Sequence, residues 1–232
     1  MKAMNAMNAP QPADILITGG TILCLDEGLN VLENHSIAVR NGKIADIFPA
    51  GGRHYSARQS IDAAGCIVMP GLINAHTHLP MTYFRGLADD LPLKAWLEDY
   101  IWPLESRLLD KDFVRKASLH GAAEMIKNGI TQIHDMYFHM ASVADACTQA
   151  GLRAIIGEAV IDGNANSGSS PGGKVVDLRR AYRNNPLVDF DLSPHSIYAC
   201  SRQTLQKCAR VAADEGILLH MHLTEARHEV GD

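Results

Sequence analysis

The sequence predicts an α/β fold: a (β/α) barrel, of which we count five strands, preceded by a small all-β unit. Three observations predict this fold. From residue 13 to about 65 the chain consists of short apolar runs and tight turns, and from Ile67 onward apolar strands alternate with helical stretches. Such alternation is typical of parallel strands joined by helical crossovers. In addition, histidines follow several of these strands, at the barrel end where functional side chains gather.

The N-terminal unit, which we place at residues 1–66, contains a clear hairpin signal. Apolar-polar alternation over 36–40 and 43–47 flanks Asn41-Gly42. This pair favours a type I′ turn, in which both central residues have positive φ. His35 and His54 lie in this unit without companion ligands, so we expect surface or turn roles for them.

The barrel portion is predicted at residues 67–232. Helix caps are expected at Asp110 and Ser201, and helix ends at Gly129, Gly151 and Gly216. The glycine-rich stretch 163–173 is interpreted as a surface loop, with a mobile cover over a site as the alternative; no GK[ST] follows at phosphate-loop spacing. The predicted strands are 67–75, 130–136, 152–160, 187–195 and 217–224, and helices are predicted near 142–150 and 175–183.

Two strand ends carry paired histidines. His76 and His78 are two residues apart and therefore share a face of the strand, and the same holds for His220 and His222. Glu225 follows three residues after the second pair. A metal ion that activates water needs neutral imidazoles as ligands and a carboxylate that accepts the proton. The pattern therefore predicts a hydrolytic metal site.

Composition excludes several other classes. The net charge of −5, the pI near 6.1 and the lack of a Lys/Arg cluster argue against nucleic-acid binding. The N-terminus lacks the apolar region of a signal peptide, and no apolar run is long enough for a membrane span. Five cysteines without a CxxC pair indicate reduced thiols. We therefore expect a cytoplasmic protein whose partner is a small molecule.

At this point a family resemblance is evident. The segment from Pro70 to His78 resembles the first metal motif of the amidohydrolase superfamily, and this motif is highly specific. The stretches 80–93 and 101–105, with Trp96, resemble the 5-methylthioadenosine/S-adenosylhomocysteine deaminase branch, which includes chlorotriazine hydrolases and neighbours the guanine deaminases. The similarity covers nearly all of the chain.

The resemblance implies a role for each matching residue. It makes His76, His78 and His222 metal ligands, Glu225 the carboxylate that shuttles protons, and Glu105 and His195 substrate contacts. From the residues alone, Glu105 could instead be a surface carboxylate at a helix end, and His195 a loop histidine with a structural role. His220 is interpreted as buried or second-shell, and Asp135 as either structural or pocket-lining. His120, His134, His139 and His228 are interpreted as structural or solvated.

The resemblance also bears on the metal and the reaction. Members with two metals bridge them through a carboxylated lysine at strand four, whereas residues 192–195 contain no lysine, so one divalent ion is expected. Zinc suits imidazole ligands, with iron(II) or manganese(II) as alternatives. The implied reaction is hydrolytic deamination of an amino-substituted purine or related heterocycle. The alternatives are removal of another substituent, as from a triazine, deamination of guanine, or an inactive truncated fragment.

The family pattern extends beyond this chain. It places a further metal-binding aspartate after strand eight and completes a composite β-sandwich with C-terminal strands, whereas this sequence ends at Asp232. We therefore expect only about five strands of a (β/α)8 barrel and the N-terminal part of the sandwich. Open strand edges favour association, so a homo-oligomer or a missing C-terminal segment is expected to complete the site.

Overall fold

The computed structural model describes residues 10–164, 172–225 and 227–230. The chain divides into two compact units, Met1–Pro70 and Gly71–Asp232. The division lies close to the boundary at residue 66/67 that the sequence pattern suggests. Most of the glycine-rich stretch 163–173, predicted as a surface loop, lies outside the described residues.

The first unit is all-β. One sheet has the strand order β5-β4-β1-β6 and the other the order β3-β2-β7. Ala13, Ala38 and Phe48 form the core of the first sheet, with Tyr55 stacked on Phe48. The strands are β1 (Gln11–Thr18), β2 (Thr21–Leu23), β3 (Val31–Leu32), β4 (His35–Arg40), β5 (Lys43–Pro49), β6 (Tyr55–Asp62) and β7 (Ile67–Val68).

The predicted hairpin is present between β4 and β5. The two strands pair antiparallel, and Asn41 and Gly42 have φ values of 54° and 71°. Both central residues therefore adopt the positive φ of a type I′ turn, as the Asn-Gly pair predicts.

The second unit is built on a parallel sheet with the order β11-β10-β9-β8, part of a (β/α) barrel. Its strands are β8 (Leu72–Thr77), β9 (Ile130–Tyr137), β10 (Arg153–Val160) and β11 (Val188–Pro194). Its helices are α1 (Leu93–Ala95), α2 (Trp102–Leu108), α3 (Lys111–Lys127), α4 (Met140–Ala150), α5 (Gly173–Ala181) and α6 (Arg202–Glu215), with a π-helical turn at Trp96–Ile101 and 3-10 turns at Leu79–Phe84 and Arg227–Glu229.

The core of this unit lies where the strands meet the helices. Ile133 of β9, Ile156 of β10 and Phe190 of β11 are almost fully buried and pack with Val143 of α4. Burying each such side chain contributes roughly 1.5–3 kcal/mol. The packing therefore fixes the strand positions that carry the site.

Two predicted strands differ from the structure. Residues 67–75 do not form one strand, because Ile67–Val68 pairs with β2 and the parallel sheet begins at Leu72, after Pro70-Gly71. The predicted strand 217–224 is an extended segment with a single bridge, from Leu219 to Leu192. It nevertheless runs beside β11, since the His220 N–H donates to the Leu192 carbonyl at 3.1 Å.

The helix boundaries follow their predicted caps. The Asp110 carboxylate accepts from the Phe113 N–H at 2.7 Å, and the Ser201 hydroxyl accepts from the Thr204 N–H at 3.2 Å. Gly151 and Gly216 end α4 and α6 in the left-handed conformation. None of the helices among residues 10–164, 172–225 and 227–230 has the length and apolarity of a membrane-crossing segment.

Candidate metal centre and its pocket

The predicted site histidines gather at the carboxyl end of the parallel sheet. His76 is the next-to-last residue of β8, and His78 comes directly after the strand. His195 comes directly after β11. The segment after Leu219 brings His222 to the same edge, where its N–H donates to the His195 carbonyl at 2.9 Å. Because the carboxyl ends of parallel strands meet at one edge, residues 144 positions apart in the sequence become neighbours.

His76, His78 and His222 form one group. Each offers a ligand nitrogen, and these nitrogens all lie within 4.8 Å of one another. The Nε2 atoms of His78 and His222 are 3.2 Å apart. The three rings are therefore close enough for their nitrogens to bind one metal ion together.

Main-chain carbonyls fix two of these rings. His78 Nδ1 lies 2.6 Å from the Met136 carbonyl oxygen, and His222 Nδ1 lies 2.8 Å from that of His195. A carbonyl can only accept, so each Nδ1 carries the hydrogen and each neutral ring presents a lone pair on Nε2. Two lone pairs then face each other across 3.2 Å, an arrangement that a cation between them would stabilise.

The donor set fits a divalent ion. With metal–nitrogen distances of about 2.0–2.1 Å, two ligands of a tetrahedral zinc lie roughly 3.3 Å apart, close to the separation of the two Nε2 atoms. Burial lowers the pKa of His78 to about 4, and burial also lowers the pKa of His76 below its usual value. Both rings are therefore neutral at pH 7, which is the protonation state that a metal ligand requires.

The third ring, His76, is held differently. Its Nδ1 lies 3.0 Å from Nε2 of His220, which is a side chain and not a main-chain carbonyl. His220 is half-buried, and its ring contacts that of His134 at a tilt, with the ring centres 3.9 Å apart. The expectation that His220 is a buried or second-shell residue thus agrees with its contact to His76.

A cavity of about 400 Å³ opens in front of the histidines. Its polar side chains come from five parts of the second unit: the end of β8, helix α2, the end of β9, the residue after β11 and the segment after Leu219. The remainder of its wall is apolar. The lining residues are His76, His78, Met81, Leu93, Trp96, Leu97, Ile101, Trp102, Glu105, Met136, Tyr137, Phe138, Ala159, Ile161, His195, His222 and Glu225.

Glu105 is a buried carboxylate in this cavity and not a surface residue. It accepts a hydrogen bond of 2.6 Å from the Tyr137 hydroxyl. Burial raises the pKa of Glu105, and the bond from Tyr137 partly opposes that rise. The interpretation of Glu105 as a surface helix-end carboxylate is therefore wrong, because α2 turns this residue into the unit's interior.

Glu225 lies at the cavity mouth beside His222. Its carboxylate accepts from the Tyr198 hydroxyl at 2.7 Å, and its main-chain N–H donates to the Glu229 carboxylate at 3.0 Å. The side chain is exposed, so water can reach it. Two neighbours thus hold a solvent-accessible carboxylate next to the histidine group.

His195 completes the polar wall. Its ring centre lies 4.5 Å from that of His222, and its Nδ1 lies 3.2 Å from the Ser196 hydroxyl oxygen. Burial, followed by the neighbouring histidines, lowers the pKa of His195 to about 3. At neutral pH it is an uncharged hydrogen-bonding group that faces the cavity.

Sequence reasoning missed two features. Tyr137 was not singled out, although its place at the end of β9, one residue after a predicted strand, was a usable signal. His134 was interpreted as structural or solvated, and the structure fits the structural reading, but its partner was missed: His134 hydrogen-bonds to buried Asp191 at 2.5 Å, a contact that depends on the register of β9, β10 and β11. Asp135 is fully buried and accepts from the Leu79 N–H, so it is structural.

The family model described as the amidohydrolase family matches residues 67–232, and the chain belongs to this family of metal-dependent hydrolases. The match confirms the resemblance of the segment from Pro70 to His78.

Three known proteins are similar to this chain in sequence or in structure. A 5-methylthioadenosine/S-adenosylhomocysteine deaminase of Syntrophobacter fumaroxidans is 39% identical over 94% of this chain and 51% of its own length. The crystal structure of a zinc-bound adenosine deaminase from Xanthomonas campestris has a TM-score of 0.88 and 33% identity, over 97% of this chain and 52% of that one. Atrazine chlorohydrolase TrzN from Arthrobacter aurescens, 23% identical with a TM-score of 0.78 over 91% of this chain and 53% of its own, shares the fold. The chain thus spans about half the length of the relatives that it matches.

Proposed function

We propose that this chain carries the metal-binding half-site of an aminohydrolase that removes an amino group, as ammonia, from a purine nucleoside. The observation that carries the proposal is the convergence of His76, His78 and His222 with Glu225 on one cavity. The similarity to deaminases of 5-methylthioadenosine, S-adenosylhomocysteine and adenosine supports the substrate class.

In this proposal the three histidines hold one divalent ion through neutral nitrogens. Zinc is the proposed ion, with iron(II) and manganese(II) as alternatives. The bound ion would act as a Lewis acid and lower the pKa of a water toward about 7. The zinc-bound relative supports this choice of metal.

Glu225 is the proposed proton carrier. Its carboxylate would accept one proton of the attacking water and pass it to a ring nitrogen of the substrate; the second proton of that water would then pass to the amino group, which leaves as ammonia while the carbon keeps the oxygen as a carbonyl. The Tyr198 hydroxyl bonds to one carboxylate oxygen and orients it. Because Glu225 is exposed, the proton can also exchange with solvent once ammonia has left.

Glu105 and His195 are the proposed substrate contacts. Glu105 accepts from Tyr137 through one oxygen, which leaves further lone pairs for a substrate hydroxyl. His195 faces the cavity beside His222 and can hydrogen-bond a heterocycle nitrogen or a developing oxyanion. The apolar wall formed by Trp96, Leu97 and Trp102 would suit a thioether substituent.

We further infer how the chain works as a whole. Residues 1–66 are proposed as the N-terminal part of a composite β-sandwich, and residues 67–232 as the catalytic portion. Leu218 and Leu223 are 58% and 65% exposed, and a second copy or a further segment would cover such apolar side chains. The cytoplasm is the proposed location, and a small heterocycle the proposed partner.

The experiment measures ammonia release by the zinc-loaded 232-residue chain. The panel contains 5-methylthioadenosine, S-adenosylhomocysteine, adenosine, guanine and atrazine, with chloride release also followed for atrazine. By itself the chain is expected to release little or no ammonia. Once a second copy or a further segment completes the site, we expect ammonia from the nucleosides, and we expect Glu225→Gln to lower the rate by 10²- to 10⁴-fold with unchanged zinc content. Full activity of the Gln variant would remove Glu225 from the mechanism, and activity on atrazine or guanine alone would overturn the substrate class.

A further inference from the structure

A row of three side chains lies beneath His76, and the deepest of them is Asp191. This carboxylate is 1% exposed. Its Oδ2 accepts from His134 Nε2 at 2.5 Å, and its Oδ1 accepts from the Ser193 hydroxyl at 3.1 Å. Both oxygens have donors, as a buried carboxylate requires. Asp191 thereby fixes the hydrogen of His134 on Nε2.

The neighbouring strand leaves room for this arrangement. Gly157 of β10 pairs with Asp191 of β11, and a Cβ atom at position 157 would overlap both the Asp191 carboxylate and the Ser193 hydroxyl. A glycine inside a strand weakens that strand, so its presence here is consistent with a close approach by side chains.

The next side chain in the row is His220. Its ring centre lies 3.9 Å from that of His134, with an angle of 37° between the ring planes. The two rings are therefore in close, tilted contact. In addition, both Nε2 atoms already have partners. This geometry favours a support for His76 over a second cation site, although the ligand atoms of His134, Asp191 and His220 lie within 4.8 Å of one another.

The contact between His220 and His76 decides which nitrogen of His76 is available. The bond joins His76 Nδ1 to His220 Nε2 at 3.0 Å. If His76 donates, its Nε2 keeps a lone pair and can bind a metal. If His220 donates, a neutral His76 carries its hydrogen on Nε2 and cannot bind one. An acceptor at His220 Nε2 is therefore needed for ligation.

We propose that His220, packed against His134 of the His134–Asp191 pair, is a positioning residue that holds His76 in the orientation and tautomer needed for metal binding. The inference rests on the proposed metal role of His76. Mutation of a residue that hydrogen-bonds a metal-bound histidine typically weakens metal binding by 10- to 100-fold. We expect an effect of this size when His220 is changed.

The test measures zinc affinity of the full chain by competition with a chromophoric chelator. His220→Leu keeps an apolar side chain of similar reach but removes the acceptor, and we expect 10- to 100-fold weaker binding. His220→Gln carries an amide oxygen near the position of Nε2, so it should recover most of the loss. His220→Asn ends one bond short of that position and should not. Wild-type affinity in His220→Leu would overturn the proposal.

Two further measurements separate the possible explanations. The thermal midpoint of the metal-free protein reports structural damage, which would lower the midpoint in all three variants without the Gln-versus-Asn difference in zinc affinity. If His220→Leu does not fold, equal affinity of the Gln and Asn variants would overturn the proposal. His76→Ala tests the metal centre itself: if this variant binds zinc normally, the proposed centre fails, whereas weak binding by His76→Ala with normal binding by His220→Leu contradicts only the positioning role.

Discussion

The two sides of the histidine group are built in different ways. On one side, His78 and His222 donate to the main-chain carbonyls of Met136 and His195. On the other side, His76 contacts the side chain of His220, which in turn packs against His134. One side is therefore fixed by the main chain, and the other depends on a layer of side chains.

This difference has a consequence for mutation. A carbonyl stays in place whatever side chain its residue carries, so the partners of His78 and His222 persist as long as the strands keep their register. His220, by contrast, can be lost in a single substitution. We therefore expect zinc affinity to tolerate substitutions at Met136 and His195, whose main-chain carbonyls hold His78 and His222. We expect zinc affinity to be sensitive to substitutions in the side-chain layer that holds His76.

We expect the largest loss of zinc affinity when one of the two rings that donate to main-chain carbonyls, His78 or His222, is itself removed. His78→Ala deletes a nitrogen that the proposed ion uses, so zinc affinity should fall by more than the roughly 100-fold upper limit for outer partners. His120→Ala, which changes an exposed histidine on α3, is the matched control and should bind zinc as the wild type does. Equal affinities in the two variants, measured by chelator competition, would rule out the proposed centre.

Two substitutions, one in the support of His76 and one at a residue that holds His78, compare the two sides by their effect on zinc affinity. Gly157→Ala introduces a Cβ that overlaps Asp191 and Ser193 and should disturb the support of His76, weakening zinc binding by about 10-fold or more. Met136→Leu changes a buried side chain but keeps the carbonyl that His78 uses, so affinity should stay unchanged. The comparison fails if the Leu variant loses as much zinc affinity as the Ala variant.

The sequence alone predicts the local features of the fold and site better than the layer of side chains behind His76. Spacing of two residues places His76 and His78 on one strand face, and the Asn41-Gly42 turn and the Asp110 cap are also visible locally. Each of these features depends on residues close together in the chain. Local pattern is therefore sufficient for them.

The remaining features depend on register between distant strands. His134 and Asp191 are 57 residues apart and meet because β10 sets the alignment of β9 with β11. The start of the barrel strand was predicted too early for a similar reason, since Ile67–Val68 finds a partner in β2. Neither pairing leaves a periodic signal, so single-sequence reasoning could not rank them.

The smallest effect concerns a second buried carboxylate, Asp135, which differs from Asp191 in its partners. Asp191 has two donors, whereas Asp135 accepts only from the Leu79 N–H, and its other oxygen has no partner among the described residues. Burial raises the pKa of Asp135 from 3.8 to about 7. The folded protein therefore binds a proton that the unfolded chain releases at lower pH.

The sign of the pH dependence follows from that raised pKa. The contribution of Asp135 to the free energy of unfolding is fully present below pH 3.8 and is lost as the pH rises through about 7, with a slope of up to about 1.4 kcal/mol per pH unit. Asp135→Asn keeps an acceptor for the Leu79 N–H but cannot ionise. We expect urea unfolding at pH 4.5 and pH 8 to show a smaller loss of stability with pH in the Asn variant than in the wild type. Zinc affinity should not change, because Asp135 supports the loop after His78 and not the ring of His76. If the free energy of unfolding changed with pH in the same way in both proteins, Asp135 would be charged in the folded state and its pKa would not be raised.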